Sequence, residues 1–199
     1  MSNEISAFGD HAEVSLGVNA GSAEPMGVHG WYKVECHDKD GNLKWSDEFP
    51  NLVVAVGKQL MLDTLLKGSS YTVVGPYLGL IGTTFTAAAT DTMSTHGWTE
   101  FTNYTVSSSA VRGTAVFASA TSTGSTPANV TSSTATAITY TITGAGGTVY
   151  GCFLVTGPSA SSTLSSTTGT LYSEGLFSVA KATTAGDTVS VTYSTSATS

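Results

Sequence analysis

The sequence predicts a mainly β protein, an antiparallel β-sandwich or jelly-roll-like domain with an N-terminal β-hairpin and one α-helix. Three observations support this fold class. Short stretches that alternate apolar and small polar residues recur between clusters of Gly, Ser, Thr and Pro. Ser and Thr dominate the chain after residue 100, where only four residues are charged. One segment near residue 60 has apolar residues at helical spacing. Six to eight short strands spaced in this way are typical of a sandwich.

The chain divides into a flexible N-terminal arm, residues 1–28, and a single β-sandwich domain, residues 29–199. The arm is rich in small and polar residues and shows no sustained period. Such a segment buries too little apolar surface to offset the roughly 1–2 kcal/mol per residue that ordering costs. We therefore expect the arm to bind another subunit or the shell of an assembly through its isolated apolar residues, Ile5, Phe8, Val14 and Leu16.

The stretch "HDKDGNLKWSDEF" lies inside the predicted hairpin, residues 31–49, and could be a calcium loop or a turn. A calcium loop starting at Asp38 needs glycine at its sixth position and a bidentate Glu at its twelfth. Those positions hold Leu43 and Phe49. Asp and Gly suit a tight hairpin turn, and the flanking residues alternate as in a strand. The pattern therefore predicts a turn and no metal site.

The segment "PNLVVAVGKQLMLDTLLKG" predicts a helix over residues 51–67. Asn51 is the expected N-terminal cap, and Gly68 is the expected end of the helix. Gly57 lowers the helix propensity by about 1 kcal/mol, which indicates close packing against the sheet at that point. The stripe of leucines is expected to belong to the core of the domain.

The predicted strands of the second part of the chain alternate with loops. Two low-complexity stretches, "SATSTGSTPANVTSSTAT" and "TGPSASSTLSSTTG", are expected to be loops too polar to pack. The expected strands cover residues 76–82, 98–106, 111–119, 135–143, 148–156, 169–178 and 187–194.

Composition excludes several classes of partner. The net charge is −7 and only seven residues are basic, so nucleic-acid binding is not expected. The sequence has no apolar run of transmembrane length and no signal-peptide pattern at its start. We therefore expect synthesis in a cytoplasm and no membrane partner. Cys36 and Cys152 are predicted to be buried free thiols rather than a disulfide, since they fall in apolar strand-like stretches.

The sequence offers few candidates for chemistry. Asp91, His96 and Glu100 fall within ten residues, but no serine or threonine shows the pattern of an activated nucleophile. A polysaccharide-degrading enzyme would need two facing carboxylates, and the β-rich part contains few acidic residues. The glycines of "TGAGGTVYG" lie between two strands and predict a hairpin loop. We therefore expect no catalytic residue, no cofactor and no enzymatic activity.

Several stretches resemble small structural proteins of tailed bacteriophages. They are "WYKVECHDKDGNLKWSDEFPNLVVAVGKQLMLDTLLKGSSY", "YLGLIG", "AATDTMSTHGWTEFTNY", "GTLYSEGLFS" and "AGDTVSVTYS", which together cover about residues 31–194. The resemblance implies a virion component without enzymatic activity. It does not imply a particular place on the virion.

Among virion components, we expect a capsid cement or decoration protein that binds the major capsid protein or other virion proteins on the capsid surface. An extendable arm suits this task because it gains buried area by folding on a neighbour. The alternative is a tail or head-fibre component that attaches to a host receptor. A homo-oligomer, dimer or trimer, is expected because the faces and edges of a sandwich with few charges need cover.

Overall fold

The computed structural model of the chain describes residues 27–67, 74–123 and 129–198. Within these ranges the chain forms two antiparallel sheets and one helix, which confirms the predicted β-sandwich. The elements, in chain order, are β1 (Gly27–His37), β2 (Leu43–Pro50), β3 (Leu52–Val53), α1 (Ala55–Leu66), β4 (Tyr77–Ile81), β5 (Glu100–Phe101), β6 (Tyr104–Thr105), β7 (Gly113–Thr114), β8 (Thr121–Thr123), β9 (Asn129–Ser133), β10 (Ile138–Ile142), β11 (Gly147–Thr156), β12 (Thr170–Thr183) and β13 (Thr188–Thr198).

The first sheet is built around the long strand β13, and its main order is β2-β1-β13-β10-β6. β1 pairs with β13 along its whole length, from Gly27 opposite Thr198 to His37 opposite Thr188. The other side of β13 pairs with β10 and also with β9, which in turn pairs with β8. The two ends of the described chain are therefore neighbours in one sheet.

The second sheet has the order β3-β12-β11-β4-β5, and β7 also pairs with β4. β12 carries an irregularity at Tyr172, because Val155 of β11 pairs with Leu171 whereas Leu154 pairs with Ser173. A bulge of this kind bends the strand and redirects one side chain. The Tyr172 side chain consequently reaches towards both the helix and the first sheet.

The predicted turn between β1 and β2 is confirmed. Asp38 Oδ1 accepts hydrogen bonds from the backbone N–H groups of Asp40 and Asn42, each at 2.9 Å. Gly41 has a φ of +85°, a conformation that favours glycine. The Asp38 carboxylate thus organises the turn, and its hydrogen bonds to Asn42 lower its pKa.

The main core lies between the two sheets. Alternate residues of β1, namely Tyr32, Val34 and Cys36, are fully buried there. The opposing sheet contributes Leu78 and Leu80 from β4. Buried tyrosine hydroxyls also have partners across the core, as Tyr32 OH lies 2.9 Å from Ser173 Oγ and Tyr140 OH donates to the Leu78 carbonyl at 2.8 Å.

A second core covers the outer face of the second sheet. Phe153 and Val155 of β11 face away from the first sheet, because successive side chains of a strand point to opposite faces. The segment 82–99 supplies Met93 and Trp98 to this cluster, and the segment 157–169 supplies Ala160. These two loops therefore form a third layer over part of the sandwich.

The helix begins four residues later than predicted, and the predicted cap at Asn51 is wrong. Val54 is the N-cap residue and makes no side-chain capping hydrogen bond. Residues 52 and 53 are extended as β3, which pairs with β12. Asn51 instead donates from Nδ2 to Tyr193 OH at 2.8 Å. Pairing with the second sheet outweighs the local capping preference, and Gly68 lies outside the described residues.

The prediction that the two low-complexity stretches are too polar to pack is also wrong. The first contains β8 and β9, and β9 pairs with β13 from Val130 to Ser133. Strand pairing uses backbone groups, which a Ser/Thr-rich segment supplies as well as an apolar one. In the second stretch, Ala160 is buried. The predicted strand 98–106 is divided between β5 in the second sheet and β6 in the first.

Candidate functional site

An ion pair between Arg112 and Glu100 is buried at the base of the third layer. Arg112 Nε donates to Glu100 Oε1 at 2.9 Å, and Nη2 donates to Oε2 at 2.8 Å. Further bonds from the guanidinium reach the carbonyls of Ser161 and Ser166. Four of the five N–H groups of this side chain are thus donated to groups of the protein itself. The pair anchors the loop 157–169 and has little hydrogen-bonding capacity left for a ligand.

A second buried polar contact joins Trp98 to Glu174 of β12. Trp98 Nε1 donates to Glu174 Oε2 at 2.7 Å, and the Glu174 side chain is fully buried. Burial raises the pKa of Glu174 to about 8, and the neighbouring Asp91 carboxyl group acts in the same direction. Glu174 is therefore a neutral carboxylic acid at pH 7 that links the loop 82–99 to the second sheet.

The three residues singled out as a catalytic possibility have separate structural partners. The imidazole of His96 stacks on the indole of Trp98, with ring centroids 3.7 Å apart. Asp91 Oδ2 accepts from the backbone N–H of Ala88 at 3.0 Å, and Glu100 is held by Arg112. The stacking contact and the hydrogen bonds thus join the three side chains to different groups of the protein.

A depression of about 200 Å³ lies over this region. Its wall includes His96, Trp98 and the Arg112–Glu100 pair. Burial lowers the pKa of His96, so the imidazole facing the depression is neutral at pH 7. The imidazole of His96 is uncharged, and the guanidinium of Arg112 is paired with Glu100. The depression therefore attracts a charged molecule only weakly.

An exposed apolar surface lies on α1, where the expected burial of the leucines is wrong. Leu62, Leu65 and Leu66 are 44%, 77% and 74% exposed. Beside them is a depression of about 300 Å³ whose lining is almost wholly apolar. We define the α1 face as the three exposed leucines together with the residues of this depression, Leu60, Met61, Thr64, Leu65, Thr156 and Tyr172.

The position of Gly57 explains why the leucines face outwards. Gly57 is the one buried residue of the helix. A β-carbon at this position would lie 2.5 Å from the Tyr172 carbonyl oxygen, so the helix contacts β12 at its first turns, as the sequence predicted. Close contact at that end leaves the last turns of α1 on the outside of the sandwich.

The two cysteines are free and buried, which confirms the prediction. Burial raises the pKa of the Cys36 thiol to about 11, and it raises the pKa of Cys152 as well. Because the thiolate is the reactive form, neither thiol is activated at neutral pH.

The structure leaves some expected sites undescribed and reveals others that sequence reasoning missed. Ile5, Phe8, Val14 and Leu16 lie outside the described residues. The sequence alone did not predict that Arg112 and Glu174 are buried. The rarity of charged residues after residue 100 could have indicated it. A lone charge in a long uncharged stretch is expensive to bury and needs a dedicated partner. Each of the four charged residues after residue 100 has such a partner. The pairs are Arg112 with Glu100, Glu174 with Trp98, Lys181 with Asp47 and Asp187 with Lys44.

Comparisons with protein-family models, with curated proteins and with solved structures find no match for this chain. Among the described residues, none of the helical structure has the length and apolar character needed to cross a membrane.

Proposed function

We propose that this protein is a non-enzymatic structural component of a tailed-phage virion, a capsid decoration protein that binds and stabilises the lattice of the major capsid protein. It acts through surface contacts with its neighbours on the capsid, including other copies of itself. The single observation that carries the proposal is the exposed apolar surface at the end of α1, and the resemblance to phage structural proteins supplies the biological setting.

The α1 face has the composition of a contact surface. Three leucines side by side in water are unusual for a monomeric protein, and large exposed apolar patches mark interaction sites. Burial of one leucine contributes about 1.5–3 kcal/mol. Leu65 and Leu66 are the most exposed of the three. A partner that covers them both gains a substantial part of the free energy needed for stable binding.

The charged groups of the domain support the same conclusion. Lys181 Nζ lies 3.1 Å from Asp47 Oδ2, and the Arg112–Glu100 pair is buried. The remaining surface of the second part of the chain is supplied mainly by Ser and Thr. Such a surface suits many weak contacts in an assembly more than the binding of one charged ligand.

The proposal is tested by the copy number in purified virions and by rebinding to particles that lack the protein. A decoration protein is expected in hundreds of copies on the capsid surface. The double variant Leu65→Ser, Leu66→Ser is expected to bind such particles at least about tenfold more weakly, from the apolar area removed.

The matched control is Leu43→Ser, which changes a leucine that is 58% exposed on β2 in the other sheet. This variant is expected to bind like the wild type. A count of a few to a few dozen copies, located on the tail or a fibre, would contradict the decoration role and favour the head-fibre or tail alternative. Equal binding by all variants would remove α1 from the contact surface.

A further inference from the structure

The described chain starts next to the α1 face. Thr195 Oγ1 donates to the His29 carbonyl at 3.1 Å and lies 3.4 Å from Tyr172 OH. Tyr172 in turn lines the apolar depression of the α1 face. A single threonine side chain therefore separates the start of β1 from the tyrosine at the edge of this depression.

The 26 residues before β1 have a chemistry that complements this face. They carry four carboxylates and no Lys or Arg. Lys58 and Lys67 are exposed on or just after α1, and Asp63 is the one acidic residue of the helix. The segment also contains the apolar residues Phe8 and Ile5, and the depression of about 300 Å³ is large enough for an aromatic side chain.

The segment is long enough to reach a neighbouring copy. Residues 17–26, "GVNAGSAEPM", are mainly small or polar and separate the apolar residues from β1. The 19 steps from Phe8 to Gly27 can span up to about 65 Å when extended. A domain of this size is about 40 Å across. This maximum reach exceeds the width of the domain, so the spacer is long enough for Ile5 and Phe8 to contact the α1 face of an adjacent copy.

We propose that the α1 face binds the N-terminal segment of a second copy of this chain, with Phe8 in the depression beside Tyr172 and Ile5 against the exposed leucines. This contact links copies head to tail. The acidic residues of the N-terminal segment lie near Lys58 and Lys67 of the copy that it binds. The inference rests on the proposed function, since it names the partner of the same surface. It gives each decoration subunit a donor segment and an acceptor face.

Disulfide trapping between two separate preparations tests the contact in solution. One full-length preparation carries Phe8→Cys and the other carries Leu65→Cys. The native thiols of Cys36 and Cys152 are buried and do not compete. After mixing under mild oxidation, the yield of mixed dimer is expected to be at least about tenfold above that of the control pair Phe8→Cys with Leu43→Cys, because a tenfold difference corresponds to about 1.4 kcal/mol. Leu43 lies at the far end of the β1–β2 hairpin from Gly27.

Sedimentation equilibrium provides the second measurement. Phe8→Ser and Leu65→Ser are each expected to weaken self-association about tenfold or more, because each removes a buried apolar side chain. The two substitutions together are expected to weaken it less than the product of the single effects, since both remove the same contact. Leu43→Ser is expected to leave self-association unchanged.

Equal trapping with Leu65→Cys and Leu43→Cys would overturn the proposal. A third preparation carries both Phe8→Cys and Leu65→Cys in one chain. If its disulfide forms only within single chains, the segment covers its own helix, and the proposal is overturned. Both measurements are made without particles. A decoration role that fails in the rebinding assay can therefore be distinguished from a failure of the contact between copies.

Discussion

Trp98 Nε1 donates a hydrogen bond of 2.7 Å to Glu174 Oε2 at a place where both side chains are buried. Trp98 belongs to the loop 82–99, whereas Glu174 belongs to β12 of the second sheet. The contact therefore ties the third layer to the sandwich. It also places an ionisable group where water cannot solvate its charge, so we expect the attachment of the loop to depend on pH.

Glu174→Gln is expected to remove a pH dependence of stability. The unfolded chain loses the Glu174 proton near pH 4.5, whereas the folded chain retains it up to a pKa of about 8. Between these values the unfolded state binds fewer protons, so the free energy of unfolding of the wild type falls as the pH rises. The loss is on the order of 3 kcal/mol between pH 5 and pH 8.

Chemical denaturation of the wild type and the Glu174→Gln variant at pH 5, 6.5 and 8 measures this difference. The Gln variant is expected to lose less stability over the range, because its amide keeps an acceptor for Trp98 and carries no charge. Glu48→Gln, at an exposed position of β2, is the control and should follow the wild type. Parallel curves for the wild type and Glu174→Gln would contradict the assignment.

Arg112→Met is expected to destabilise the protein by about 3–5 kcal/mol, because it leaves the Glu100 carboxylate buried without its cation. The double variant Arg112→Met, Glu100→Gln should recover part of the loss, since it removes the uncompensated charge. Guanidinium denaturation of the three proteins measures both effects. A double variant as unstable as Arg112→Met would show that the bonds from Arg112 to the loop carbonyls matter more than the charge pair.

Gly57→Ala is expected to destabilise the protein by about 1–3 kcal/mol through overpacking. The new β-carbon would lie 2.5 Å from the Tyr172 carbonyl oxygen. The backbone of β12 cannot shift easily to relieve this clash, because it is paired with β3 and β11. Alanine improves helix propensity by about 1 kcal/mol, which acts in the opposite direction. Thermal unfolding beside the exposed control Gln59→Ala measures the net effect. A gain in melting temperature would show that α1 is not held closely against β12.

Deletion of residues 1–26 is expected to leave the sandwich folded, since both cores lie within the described residues. The truncated protein should bind particles at least about tenfold more weakly, because it lacks the apolar residues of the N-terminal segment. The wild-type interaction should weaken with added salt if the carboxylates contribute. Circular dichroism and a particle-binding titration measure the two outcomes, and tight decoration by the truncated protein would contradict this role of the segment.

A homo-oligomer is expected in solution as well as on particles. The α1 face and the N-terminal segment belong to the same chain, so copies can associate without another protein. Sedimentation velocity at increasing protein concentration measures the size of the species, with a dimer or trimer as the expected result. A monomer at all concentrations would contradict the expectation.

Local patterns in the sequence were enough to predict the sandwich, the β1–β2 turn and the existence of one helix. The turn depends on Asp38 and Gly41, which act on backbone groups within four residues of themselves. The alternation of Tyr32, Val34 and Cys36 likewise follows from strand geometry alone. The close approach at Gly57 was also predicted, because a glycine inside a helix needs a packing reason.

Only the tertiary structure decided where the helix begins, which way its leucines face and what surrounds the rare charges. Asn51 lost its expected role as a cap because residues 52 and 53 pair with β12, a strand more than a hundred residues away. The leucines looked like core because their spacing is helical, but α1 carries apolar residues on more than one side, so the spacing alone did not show which of them meet the sheet. Glu174 meets Trp98 across 76 positions of sequence. Such contacts form only when the fold brings together residues that are far apart in the sequence, and no local sequence pattern encodes which residues will meet.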